Sequence, residues 1–114
     1  MHELSIAGNV LDIIRDNVPE ENLSEVKIVK LELGEMAGIV ADSLLFCFDV
    51  IKLETPFANA NLEIKIIPFI LYCNKCKKET TNSLGIRMCE KCKEFDTEII
   101  SGTEMRVTEV ELIS

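Results

Sequence analysis

The sequence predicts an α/β fold: two layers, a small three-stranded mixed sheet with two helices, and an inserted zinc-ribbon lobe. Two stretches repeat apolar residues at helical spacing, three alternate them at strand spacing, and two Cys-x2-Cys pairs lie between the second and third of those strands. At 114 residues and 47% hydrophobic content the chain is long enough for one compact core.

Residues 4–18 place Leu4, Ala7, Leu11, Ile14 and Val18 three or four apart, with Asp12, Arg15 and Asp16 opposite. That is an amphipathic helix. Pro19 cannot donate to a continuing ladder, so the helix is expected to stop near Asn17, with a turn after it. Val29, Leu31 and Leu33 alternate with Lys30 and Glu32, while Val26 and Ile28 fall in the other phase. A strand with a bulge or a two-faced start is expected, ended by Gly34. Asp42 and Ser43 are N-cap types, and behind them Leu44, Cys47, Phe48 and Ile51 recur at helical spacing up to Pro56. Leu62, Ile64 and Ile66 alternate up to Pro68, a second strand. Met105 and Val107, then Val110 and Leu112, give a third strand whose phase slips near Thr108. Two helical stripes need a sheet face or each other to be buried, so the last strand is expected to rejoin the first two. The larger domain is then discontinuous, residues 1–71 with 101–114, and residues 72–100 form the zinc-ribbon domain.

A formal net charge of -8 repels polyanions, so nucleic acid and anionic membranes are disfavoured as partners. No apolar run approaches the ~20 residues of a spanning helix, and the start lacks the basic-then-apolar order of a signal peptide. A cytoplasmic protein is expected. Five cysteines are an odd number for a disulfide framework, and in a reducing compartment spaced cysteines more often hold metal.

Cys73 and Cys76, and Cys89 and Cys92, are each two residues apart, with twelve residues between the pairs. Each short turn brings two thiolates to one side, and two such turns supply the four sulfurs that tetrahedral Zn(II) accepts. Four thiolates close the shell, which makes the zinc structural and not catalytic. Disulfides and a rubredoxin-like iron site are the competing uses of the same residues. The spacer leaves room for a short hairpin with Gly85 at its turn. Cys47, among helix-spaced apolar residues, reads as a small buried hydrophobe. The lobe also holds Lys75, Lys77, Lys78, Arg87, Lys91 and Lys93, which either offset the charge of a metal tetrathiolate or meet nucleic acid.

The chain begins Met1-His2-Glu3, and His2 is its one histidine. The free amine of Met1, the amide nitrogen of His2 and an imidazole nitrogen of His2 lie within reach of one ion, in fused five- and six-membered rings. Such a nitrogen set favours square-planar Ni(II) or Cu(II) over zinc. The fourth position is open to Glu3, a partner residue or an acceptor, so the ion can leave by exchange. The bulk of His2 also hinders removal of Met1.

The opening Met1-His2-Glu3-Leu4-Ser5, the Gly34-Glu35 turn, Leu45-Phe46-Cys47-Phe48-Asp49, the two cysteine pairs and Gly102-Thr103-Glu104-Met105 together resemble the HypA family of hydrogenase nickel-incorporation proteins. The resemblance covers nearly the whole chain. It implies a nickel metallochaperone that is not an enzyme, loading Ni(II) into the large subunit of [NiFe]-hydrogenase with a hydrogenase maturation GTPase as usual partner. In some members nickel also goes to urease, which adds urease maturation proteins to the partners the resemblance allows. Carried over by position, Met1, His2 and Glu3 match the nickel-binding start, and Cys73, Cys76, Cys89 and Cys92 the zinc ligands. An acidic residue that some members place near nickel corresponds to Asp42. The second pair, Cys89-Glu90-Lys91-Cys92, lacks the proline that many members carry after its first cysteine. The alternative is a non-enzymatic zinc-ribbon protein that binds nucleic acid. An enzyme would have to centre acid-base chemistry on His2 alone.

Overall fold

The computed structural model describes residues 3–113. The chain divides into two units, one formed by Met1–Glu32, Gly38–Lys65 and Arg106–Ser114, the other by Leu33–Ala37 and Ile66–Met105.

In the first unit α1 spans Glu3–Asn17 and buries Ile6, Ala7, Val10, Leu11 and Ile14, one face at helical spacing. Leu4, counted in the expected stripe, is 57% exposed, so the buried face begins half a turn later. Arg15 in the last turn complements the helix dipole, and the Asn17 side-chain amide donates to Ile13 O at 2.7 Å. Pro19 then enforces the break, and a 3₁₀ turn, Glu20–Glu25, follows. Strand β1, Val26–Gly34, buries Val29, Leu31 and Leu33 in alternation. Val26 is also buried, three residues before Val29, so the buried face changes phase at the start of the strand.

Helix α2 spans Ala41–Ile51 and buries Leu44 and Phe48. Its N-cap is Val40, with no side-chain cap bond. Asp42 and Ser43, expected as caps, lie inside the helix, where Asp42 in the first turn acts on the dipole instead. A 3₁₀ turn, Lys52–Glu54, ends the helix ahead of Pro56. Cys47 is half-buried rather than fully enclosed. Strand β2, Asn61–Ile67, buries Leu62, whereas Ile66 is 51% exposed. The shared core is completed by Phe57 and Ala60, both fully buried. Arg15 stacks over the Phe57 ring at 5.5 Å.

Four further strands are β3 (Ile70–Cys73), β4 (Lys78–Thr80), β5 (Thr97–Ser101) and β6 (Met105–Leu112). The first sheet has the order β2-β1-β6, so the last strand does rejoin the first two. Glu32 pairs with Arg106, Thr108 donates to Lys30 O, and Ile113 N–H donates to Glu25 O, an opposed register that makes β6 antiparallel to β1. Strands β1 and β2 are connected through α2, as a parallel pair requires, and Glu35 N–H donates to Ile67 O just past the end of β1. The sheet is therefore mixed.

The second sheet has the order β4-β3-β5 and is antiparallel throughout, with Cys73 opposite Lys78 on one side and Thr97 on the other. These short strands replace the hairpin expected around Gly85. Gly85 does take a left-handed φ of 73°, but in an irregular loop and not between paired strands. The Gly34-Glu35 and Gly102-Thr103-Glu104 segments meet within this second unit. A Cβ on Gly34 would lie 2.2 Å from the Gly102 carbonyl carbon, and one on Gly102, at φ 106°, 2.3 Å from Phe69 Cα. Only glycine lets these backbones close, through Gly34 N–H to Glu104 O at 2.6 Å and Met36 N–H to Gly102 O at 2.7 Å. The Glu35 carboxylate then accepts from Phe69 N–H at 2.9 Å, fixing the entry to β3.

Candidate metal centre

The alternation of β3 turns Leu71 and Cys73 inward, both fully buried, and the chain reverses at Asn74 to return as β4. Within that reversal the Cys76 N–H points at Cys73 Sγ at 3.4 Å, and Lys77 N–H donates to Cys73 O at 2.7 Å. The second cysteine pair repeats the device, with Lys93 N–H on Cys89 O at 2.8 Å. Lys77 and Lys93, each the residue after a pair's second cysteine, are the non-glycine residues with positive φ among those described, at 57° and 62°. Glycine is the usual occupant of such a conformation, so each lysine is held against a backbone preference.

Asn82 organises the approach to the second pair, and nothing in the sequence reading singled it out. Its amide donates to Ile86 O at 2.7 Å and to Met88 O at 2.9 Å, while its oxygen accepts from Leu84 and Ile86 N–H. The side chain is buried with its bonding capacity filled, and Met88 immediately precedes Cys89. Its one visible cue was an Asn-Ser pair in a spacer, the composition of an Asx turn. On the far side Thr97, also buried, donates to Arg87 O at 2.9 Å, and the Arg87 guanidinium donates to Thr97 O.

These supports bring the sulfurs of Cys73, Cys76, Cys89 and Cys92 within 4.8 Å of one another. Bonds of ~2.3 Å to one tetrahedral ion would set the sulfurs roughly 3.8 Å apart. Cys73 and Cys92 Sγ are 3.6 Å apart, so the cluster fits a four-thiolate ion such as zinc. All five cysteines are free, and Cys47 stands outside the cluster. The electrostatics of the protein groups point the same way. The Cys92 N–H, with the Lys91 N–H behind it, pulls the Cys89 thiol down to about 6, a backbone arrangement that favours a thiolate. A hydrogen bond to the Cys92 sulfur, reinforced by burial, pushes the Cys76 thiol up to about 12. Without an ion, four adjacent sulfurs cannot all ionise, and a bound divalent cation removes that conflict.

The basic residues of the lobe are partly answered locally. Lys75 Nζ lies 3.0 Å from a Glu94 carboxylate oxygen, and that bond holds the lysine above its ordinary range. Asn74 donates to Asp96 at 2.9 Å on the same turn.

Of the amino-terminal residues, Met1 and His2 lie outside the described residues. Glu3 opens α1 half-buried, and its Oε2 accepts from Val40 N–H at 3.3 Å. The start of α1 is thereby tied to the start of α2, two residues before Asp42, which is exposed. No described helix is long and apolar enough to cross a membrane.

Residues 1–112 match the family described as hydrogenase/urease nickel incorporation, metallochaperone, hypA. A hydrogenase maturation factor HypA of Desulfatibacillum aliphaticivorans is 39% identical over 113 residues, 98% of this chain and 87% of that protein. One from Albidiferax ferrireducens is 32% identical over 112 residues, 98% of this chain and 99% of that protein. The solution structure of the Ni metallochaperone HypA from Helicobacter pylori superposes with a TM-score of 0.70 at 23% identity, covering 100% of this chain and 99% of that one, a likeness of fold.

Proposed function

The chain belongs to the HypA family of hydrogenase and urease nickel-incorporation metallochaperones, and from that premise we propose that it carries Ni(II) at Met1, His2 and Glu3. The observation that carries this reading is the family match from residue 1 onward, in a chain whose one histidine stands at position two. The amine of Met1, the amide nitrogen of His2 and its imidazole supply three nitrogen donors in fused rings, a set suited to a planar ion. The bond from Val40 N–H to the Glu3 carboxylate supports a tethered start for α1, and it leaves the carboxylate's other oxygen for the ion or for an incoming acceptor. Asp42, at the same end of α2, is the further acidic group the resemblance suggests.

Cys73, Cys76, Cys89 and Cys92 hold Zn(II) in this reading. A closed thiolate shell stabilises the lobe and offers no site for substrate, so the protein is a carrier and not an enzyme. The cargo passes to the large subunit of [NiFe]-hydrogenase with a hydrogenase maturation GTPase as partner, and urease maturation proteins are a second destination open to the family. Release occurs by ligand exchange at the fourth position.

Nickel titration of untagged protein with a native amino terminus tests the site. One Ni(II) per chain is expected beyond zinc, with affinity reduced about a hundredfold or more by His2→Ala or by residues added before Met1. Binding should weaken as pH falls through the ordinary imidazole range, because the nitrogens must lose protons to coordinate. Undiminished affinity in both variants would sink the proposal.

A further inference from the structure

The four sulfurs of the metal centre are not equivalent. Cys73 and Cys89 are fully enclosed, whereas Cys76 and Cys92 are half-buried, so one member of each pair faces outward. Zinc in a closed shell has no redox chemistry of its own, but the thiolates around it keep theirs, and an oxidant in water meets the accessible ones first.

Hydrogen bonds divide the sulfurs a second time. Cys73 Sγ faces the Cys76 N–H at 3.4 Å, Cys89 Sγ faces the N–H groups of Cys92 and Lys91, and Cys92 Sγ faces that of Glu94. Cys76 is acted on chiefly by the other sulfurs, that of Cys92 first. A sulfur whose lone pairs are held by N–H groups is the poorer nucleophile, so of the two outward sulfurs Cys76 attacks and Cys92 resolves. The two lie within 4.8 Å of each other. Lys75 marks the same side of the cluster: Cys92 and Cys76 both draw its ammonium, which Glu94 holds at 3.0 Å. A cation fixed there stabilises the hydroxide that leaves an attacked peroxide.

We propose that Cys76 and Cys92 are a peroxide-reactive site, whose oxidation to a disulfide joins the two cysteine pairs and opens the metal shell; this rests on the zinc reading of the cluster. The Cys76 thiolate takes one oxygen of hydrogen peroxide as the O–O bond breaks, giving a sulfenic acid and hydroxide. The Cys92 thiolate attacks that sulfur, the S–S bond forms, and a second hydroxide departs. Each thiolate has given up one electron, peroxide has taken both, and two protons from solvent turn the hydroxides into water. Cys73 and Cys89 alone remain as ligands, too few for a closed shell, and a dithiol reductant returns all four.

The test uses the full chain purified with zinc, unaltered and as Cys47→Ser, treated with one equivalent of hydrogen peroxide. Zinc release is followed with a colorimetric chelator, and disulfides are mapped by mass spectrometry after blocking free thiols. One zinc should leave for each Cys76–Cys92 bridge formed, at the same rate in both chains, and reductant with zinc should restore the starting metal content. Limited iodoacetamide should modify Cys76 and Cys92 at least tenfold faster than Cys73 and Cys89. A main product bridged within one pair, or through Cys73 or Cys89, overturns the site, as does release that Cys47→Ser abolishes. Equal alkylation of all four cysteines overturns it as well. A chain that purifies without zinc strikes the zinc reading instead, and the disulfide map under peroxide still decides the pair.

Discussion

Asn82 makes four side-chain hydrogen bonds in the loop that leads to the second cysteine pair. One buried amide answers two carbonyls and two N–H groups across Leu84, Ile86 and Met88, and so sets the direction in which the chain reaches Cys89. Alanine would leave these groups to find water or stay unpaired, at about 1–3 kcal/mol for each one that stays buried. Asn82→Ala is therefore expected to destabilise the zinc-loaded lobe by about 2–4 kcal/mol. It should speed zinc transfer to a colorimetric chelator at least tenfold, while far-ultraviolet helix signal stays unchanged. A transfer rate equal to that of the unaltered protein would show that the loop holds itself without the amide. The cysteines themselves were legible in the sequence because a two-residue spacing has few uses. Asn82 was not, because its importance lies in which carbonyls a loop happens to turn toward it, and no local pattern encodes that.

The elements divide by length. Helix α1 and strand β1 were legible because their apolar residues repeat over many positions, so that one exception, such as exposed Leu4, leaves the period intact. Strands β3, β4 and β5 run for only 4, 3 and 5 residues and owe their pairing to the turns and cysteines between them, which hydrophobic alternation cannot report. The pairing of β6 with β1 has its own signature in pH. Lys30 Nζ lies 3.1 Å from Glu111 and 3.4 Å from Glu109 across the strands. The bond to Lys30 holds the Glu111 carboxyl below the ordinary carboxylate range, and the bond to Glu111 raises the lysine. A depressed carboxylate adds stability above its unfolded value and loses it as pH falls through its folded value. A raised lysine adds stability below its unfolded value and loses it as pH climbs through its folded value. The ion pairs thus contribute between the mildly acidic and the alkaline limits. Lys30→Met is expected to flatten the loss of stability between pH 6 and pH 3, as read from urea midpoints, and 1 M salt should shrink the difference. The effect will be small, because both partners are solvent-exposed. An unchanged pH slope in Lys30→Met would show that other carboxylates set the acid limit.

At the scale of the molecule, the sequence disclosed that the last strand returns to the first two, since an amphipathic strand after the cysteine segment needs a sheet to join. It did not disclose the glycine contact of Gly34 with Gly102, because close backbone approach leaves no hydrophobic pattern, only the bare glycines. The two units also differ in what holds them together. The first buries Ile6, Val10, Ile14, Leu31, Leu44, Phe48 and Phe57, a core of large side chains drawn from both helices and the sheet. In the second the fully enclosed apolar groups are few, Leu33, Phe69, Leu71 and the sulfurs of Cys73 and Cys89 among them, spread over a longer run of loop. So small a core does not offset the entropy of ordering that much chain without a metal crosslink. Zinc removal should therefore act on one unit. With a strong chelator at neutral pH, amide exchange is expected to lose protection throughout 70–101, while α1, α2 and the centre of β1 keep theirs and the helical circular dichroism changes little. Restoring zinc should restore the exchange pattern, and lowering the pH should promote release, since protons compete for the thiolates. Once zinc is restored and the chelator removed, so that the thiolates are occupied again, nickel should bind once per chain if its donors are the amine, amide and imidazole of the first two residues. Cooperative loss of both units on chelation would mean instead that the first core depends on the metal lobe, and that its large buried side chains do not suffice on their own.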